Sequence, residues 1–167
     1  MRLYLVQHGA AVAKEENPER PLSDKGLADV ERLAALLART RPTITRIIHS
    51  GRARTFETAR IFARTIAPGV EVEEAAAGLA ANDSTDLFFQ AVKSWRDDVD
   101  VGAETAGGVM LVGHLPFMGK LASRLVAGME DAAVAVFQPG GVLCLEWGGQ
   151  ALGWSVAWMA PPELLGQ

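Results

Sequence analysis

Three short apolar runs, each stopped by a small or polar residue and each leading toward a segment of helical periodicity, constrain this chain more than any other feature. Leu3–Val6 (LYLV) stops at Gln7-His8-Gly9. Thr45–His49 (TRIIH) stops at Ser50-Gly51, and Val109–Gly113 (VMLVG) stops at His114-Leu115-Pro116. Runs this short and this apolar read as buried strands. After the first comes a polar loop, Lys14–Pro21, and then Ser23 as a candidate N-cap ahead of Leu27, Val30, Leu33, Ala34 and Leu37 at helical spacing. Pro42 closes that helix. A second helix, with Ala53, Phe56, Ala59, Ile61 and Phe62 apolar, ends at Pro68-Gly69.

The remaining segments are weaker. Val70–Glu74 reads as a third strand, Thr85–Trp95 as a helix, and Ala103–Gly108 as a turn. Pro116–Ala127 reads as a helix with proline at its opening. Val142–Trp147 and Leu152–Met159 pair as a hairpin across Gly148-Gly149-Gln150, and residues 160–167 read as a loose tail. Strand and helix alternate until that hairpin. The order predicts an α/β fold of three layers, αβα, around a mostly parallel sheet with an antiparallel edge.

Composition narrows the class. The chain has 167 residues, 49% hydrophobic and 22% charged, which suits one globular domain over 1–167. Its formal charge of −4 disfavours nucleic acid and acidic membrane surfaces as partners. No apolar run approaches the about 18 residues of a membrane span, and Leu3–Val6 is too short for a leader core, so a cytoplasmic protein is expected. The single cysteine, Cys144, forms no internal disulfide and is expected to be a buried strand residue. Packing roles are expected for Trp95, Trp147, Trp154 and Trp158.

In open α/β sheets, ligands bind beyond the carboxyl ends of the strands. His8, Ser50 through Arg54, and His114 all fall there, beside helix N-termini that favour anions. Two histidines and an arginine so placed point to a phosphoryl site. On topology alone the choice between that and two structural strand-end histidines is even.

The segments Leu5-Val6-Gln7-His8-Gly9, Arg20-Pro21-Leu22-Ser23-Asp24-Lys25-Gly26, Ser50-Gly51-Arg52-Ala53-Arg54-Thr55-Phe56-Glu57-Thr58 and Val112-Gly113-His114-Leu115-Pro116 together resemble the histidine phosphatase superfamily, in order and spacing. The resemblance covers about residues 1–127 and lies nearest the short SixA-type phosphohistidine phosphatases. It implies a phosphoglycerate mutase-like fold. It also implies a nucleophile at His8, which must be neutral with its attacking nitrogen bare; a backbone carbonyl on the other nitrogen would fix that tautomer. Arg54 matches the arginine that forks onto phosphate oxygens, and His114 the second histidine, which stabilises phosphoryl charge. Arg20 matches an arginine that lines the pocket, Gln7 and Gly9 of the first motif are expected at the phosphate, and Ser50 either positions the phosphate loop or caps the helix. Arg52 is expected to be a solvated neighbour, and His49 to be buried.

Two departures qualify the expectation. Gln7 stands where the family has arginine, and loss of one charge-assisted contact of roughly 1.5–3 kcal/mol slows a reaction about 10- to 100-fold unless Arg20, Arg52 or Lys14 compensates. No motif fixes a proton donor: Asp83 is the nearest candidate, Asp86 the second. A phosphoramidate releases imidazole and tolerates a weak acid, whereas a monoester does not. Only residues 75–108 are available for a lid, so an open site is expected. The resemblance thus implies hydrolysis of phosphohistidine on a protein through a covalent phosphohistidine intermediate. The alternatives are a small-molecule phosphomonoesterase using Asp83, or a weak or inactive phospho-ligand binder. Three scattered histidines without paired carboxylates suggest no metal, and no cofactor is expected.

Overall fold

A computed structural model describes residues 1–100 and 107–166. Its strands are β1 (Arg2–Gln7), β2 (Ile44–His49), β3 (Val72–Glu74), β4 (Gly108–Gly113), β5 (Val142–Trp147) and β6 (Trp154–Ala160). Its helices are α1 (Asp24–Ala38), α2 (Ala53–Ile66), α3 (Asp86–Asp100) and α4 (Phe117–Ala127). The six strands form one sheet in the order β3-β2-β4-β1-β5-β6. The first four are parallel; β5 runs antiparallel to β1, and β6 antiparallel to β5.

β1 is unbroken in its hydrophobicity because both of its faces are buried. Tyr4 and Val6 pack with Val30 and Leu33 of α1 and Phe62 of α2. Leu3 and Leu5 pack with Phe88 and Val92 of α3 and with Phe117 and Leu121 of α4. Helices therefore cover both faces, which is the three-layer arrangement expected. The register is what places the site. Gln7 lies beside Gly113, and His49 beside Val112, so β1, β4 and β2 end together at one edge.

Local chemistry follows the sequence closely at α1. The Ser23 side chain accepts the N–H of Gly26 at 3.1 Å and caps the helix. The weaker segments shift more. The second strand of the hairpin begins at Trp154, and Leu152 sits in the turn, 78% exposed. Gly108 opens β4 and Gly107 precedes it, while residues 103–106 of the turn expected over Ala103–Gly108 lie outside the described residues. The tail is a correction. Pro162–Leu165 is a 3-10 helix; Pro162 is buried and Leu165 packs on the α1/α2 core. Pro161 stands at the N-cap, and the buried Pro162 seats this turn against the body. Among the described residues no helix is long and apolar enough to cross a membrane.

Candidate active site

The loop after β1 is bound on three sides. The His8 N–H donates to the Gly113 carbonyl at 3.1 Å, tying it to the end of β4. The Gly140 N–H lies 3.0 Å from the carbonyls of both Gln7 and His8. The Gly9 N–H donates to Thr58 Oγ1 of α2 at 3.1 Å. A side chain at Gly9 would bring its Cβ to 2.9 Å from Leu22 and Val30 and 3.1 Å from the Gly26 carbonyl, which explains glycine after the histidine.

These contacts hold the His8 ring at the strand edge. Its Nδ1 lies 2.7 Å from the Gly9 carbonyl oxygen, which can only accept, so Nδ1 carries the proton. Its Nε2 accepts from Arg54 Nε at 3.1 Å. The ring is thus the neutral tautomer with a bare Nε2. Burial lowers its pKa below 6.5; the Gly9 carbonyl opposes this, and the charges of Arg54 and Arg20 reinforce it.

Arg54 occupies the first turn of α2, where a guanidinium reaches back over the end of the sheet. Its Nη2 lies 3.4 Å from His114 Nδ1. The His8 and His114 rings stand edge to face with centroids 4.9 Å apart. Residues remote in sequence therefore meet within reach of one tetrahedral anion, with Arg54 between the two lone pairs. His114 is 6% exposed. Its pKa is lowered to about 4 by burial first and then by His8, Arg54 and Arg52, with Asp83 opposing. Burial, Arg20 and Arg52 also depress the pKa of Arg54. Crowded cations and neutral imidazoles, opposed at His114 by the charge of Asp83, make a site suited to a dianion.

The other candidates divide. Arg20 lies close enough for its charge to act on His8 and Arg54; its Nε donates to the Val12 carbonyl at 3.2 Å, and its backbone takes φ +50°. Such a left-handed non-glycine residue is uncommon, and strain of this kind gathers at functional sites. Gln7 closes β1 beside His8, with its Oε1 buried and unpartnered. Arg52 is exposed, yet its charge reaches Arg54 and His114. Ser50 does not cap α2, whose N-cap is Arg52 without a side-chain bond; its hydroxyl lies 2.7 Å from His114 Nε2. Asp83 is exposed, accepts the Ala80 N–H at 2.9 Å, and acts on His114 through its charge. Asp86 pairs with Arg124 at 2.7 Å, which holds its carboxyl below the usual range and leaves it a poor acid. His49 is buried against Phe56, its Nδ1 accepting from the Gly51 N–H at 3.0 Å. Among the described residues no group of three His, Cys, Asp or Glu side chains could hold a metal ion.

Reading the sequence missed two supports. Thr58 Oγ1 receives Gly9 and donates to the Arg54 carbonyl at 2.7 Å, joining both site loops. Glu57 Oε2 accepts the Leu22 N–H at 2.6 Å and secures the Arg20–Ser23 segment. The available signal was hydroxyl residues, Thr55 and Thr58, three apart on the inward side of a helix, where apolar residues are the rule.

Solved structures share this architecture. The protein histidine phosphatase SixA complexed with tungstate matches with a TM-score of 0.83 at 18% identity, covering 99% of each chain. A structure from Agrobacterium tumefaciens assigned as phosphohistidine phosphatase SixA matches at 0.73 and 24% identity, covering 96% of this chain and 97% of the other. An alpha-ribazole phosphatase from Shigella flexneri matches at 0.69 and 14%, covering 97% of each. At these identities the likeness establishes the fold. A comparison with curated protein sequences finds no match. The sequence profile of the histidine phosphatase superfamily (branch 1) matches residues 3–134, from β1 through the segment beyond α4. That span takes in every strand end and helix start that carries the cluster, and on it the chain belongs to the histidine phosphatase superfamily, branch 1.

Proposed function

We propose that this phosphatase-family chain hydrolyses phosphohistidine on a protein, with His8 as the nucleophile. One observation carries it: a neutral His8 whose bare Nε2 lies 3.1 Å from the Arg54 fork, with the His114 ring 4.9 Å away. In this mechanism the substrate phosphoryl group displaces Arg54 from the two lone pairs. Arg54 then forks onto its oxygens, with Arg20 adding charge and His114 and the Gln7 amide contributing at the rim. Nε2 of His8 attacks phosphorus, and the P–N bond to the substrate imidazole breaks. The departing ring takes up a proton from solvent. Water then attacks phosphorus, the bond to His8 breaks, and phosphate leaves. Fixed donors around the transferring group supply most of what phosphoryl transfer needs.

The choice of substrate rests on the proton donor and the lid. Asp83 is exposed and occupied by a turn bond, and Asp86 is ion-paired. Leaving imidazole needs little acid; a leaving alkoxide needs a good one. Of the described residues after β3, those of α3 bury Phe88 and Val92 on the sheet, so this helix packs as part of the body, which supports an open site. A small-phosphoester reading has one point in its favour: the charge of Asp83 reaches His114.

Brief incubation with radiolabelled phosphohistidine protein is expected to trap acid-labile label on His8, and His8→Ala is expected to abolish both label and turnover. Sugar phosphates cleaved far faster than the phosphoprotein would overturn the substrate assignment. Full activity in His8→Ala would remove the nucleophile.

A further inference from the structure

The hydrogen bonds around His114 can be followed proton by proton. Thr55 Oγ1 lies 2.7 Å from the Arg52 carbonyl oxygen. That oxygen can only accept, so the single hydroxyl proton of Thr55 is committed to it. Ser50 Oγ lies 3.1 Å from Thr55 Oγ1 and must therefore donate. Ser50 then has no proton left for His114 Nε2, 2.7 Å away, so the ring donates and Nε2 carries the proton. On the other side of the ring, Arg54 Nη2 has no lone pair and faces Nδ1 at 3.4 Å. Constraints from two sides of the ring agree. Thr55 is fully buried, so its own hydroxyl proton has no water to turn to.

We propose that Thr55 and Ser50 are positioning residues that lock His114 as the Nε2–H tautomer, and that a dianionic oxyanion therefore binds with uptake of one proton at His114 Nδ1. A bare Nδ1 lone pair repels anion oxygens, and the lock prevents the neutral ring from turning an N–H toward them. The proton comes from a buffer acid and forms a new N–H that donates to the anion. The groups acting on the ring favour its neutral form while the site is empty: burial, His8 from β1, and Arg54 and Arg52 from α2. Arg20 adds charge through its action on His8 and Arg54, and Asp83 opposes. A bound dianion reverses that balance. The empty ring lacks the proton above about pH 4 and the occupied ring holds it, so affinity falls as pH rises, by about tenfold per unit for one linked proton.

The proton uptake rests on the oxyanion reading above; the tautomer does not. Sulfate, a dianion between pH 5 and 8, is the probe. Calorimetry in buffers of different ionisation heat counts protons taken up, and long-range proton–nitrogen NMR assigns the tautomer. In Thr55→Val the Ser50 proton is freed to donate to Nε2, and His114 can carry its proton on Nδ1. The expected result is Nε2–H in the wild type. With sulfate bound and Arg54 turned to the anion, Thr55→Val should populate Nδ1–H and take up about one proton fewer per sulfate, whereas Thr55→Ser should behave as wild type. Any uptake at His8 is common to all three proteins and cancels in the difference. An Nδ1–H tautomer in the wild type, equal uptake in folded Thr55→Val, or no sulfate binding by the wild type would overturn the proposal. Intact coupled binding without hydrolysis would overturn the enzymatic function and leave this inference standing.

Discussion

Gln7 is where the residue scale matters most. Its Oε1 is buried without a donor, and an unmet buried acceptor costs about 1–3 kcal/mol. Gln7→Arg removes that acceptor and adds a phosphate fork. It also adds a cation beside Arg54 and Arg20, which already both lower the pKa of His8, with Arg20 lowering that of Arg54 as well. Two opposite effects are expected. Turnover of phosphohistidine protein should rise by about 10- to 100-fold, the worth of one charge-assisted contact. Urea stability without anion should fall and be restored by phosphate. Unchanged turnover would assign the missing charge to Arg20. His8, Arg54 and His114 were legible in the sequence because strand ends and motif spacing mark them. Thr55, Thr58 and Glu57 were quoted in that motif without a role. Their importance lies in which atoms they meet across the fold, and a linear pattern holds no such information.

At the scale of elements, α1 is set by contacts at its first turn. Ser23 accepts from the Gly26 N–H, and its own hydroxyl donates to the Ala10 carbonyl at 3.2 Å, so one side chain joins the cap to the loop after His8. A Cβ on Gly26 would stand 2.0 Å from the Ala10 carbonyl oxygen, a backbone atom that cannot swing aside. Ser23→Ala should cost about 0.5–2 kcal/mol in urea unfolding, the usual worth of an N-cap. Gly26→Ala should cost more and also weaken sulfate binding, because the Ala10 backbone it displaces follows directly on His8-Gly9. A Gly26→Ala protein with unchanged anion affinity would separate α1 from the site. Elements with strong periodicity, such as α1, or with both faces buried, such as β1 and β4, were readable within one or two residues. β3 was read two residues too long at its start, since three residues of strand carry little pattern, and the 3-10 turn was not read at all, because Pro162 is held by tertiary packing that no local signal reports.

Across the whole molecule, the C-terminal turn closes a circuit that ends at His8, the proposed nucleophile. Pro162 is buried, and its ring would meet a Cβ on Gly140 at 3.2 Å. Gly140 in turn offers its N–H to the Gln7 and His8 carbonyls. Gln138 Nε2 donates to Glu163 Oε1 at 2.9 Å, so the turn and the loop before β5 are tied by a side-chain bond as well as by packing. The segment lies outside the span matched by the family profile, residues 3–134, yet it backs the residue that would attack phosphorus. Deleting residues 161–167 should lower stability by on the order of 2–3 kcal/mol, about one buried apolar side chain. It should also lower kcat on phosphohistidine protein more than it raises KM, because the His8 backbone loses its backing while Arg54 and Arg20 remain. Gln138→Ala removes only the tie to Glu163 and should give a smaller loss of the same kind. Lost stability with kcat untouched would make the turn a cover for the α1 core and nothing more.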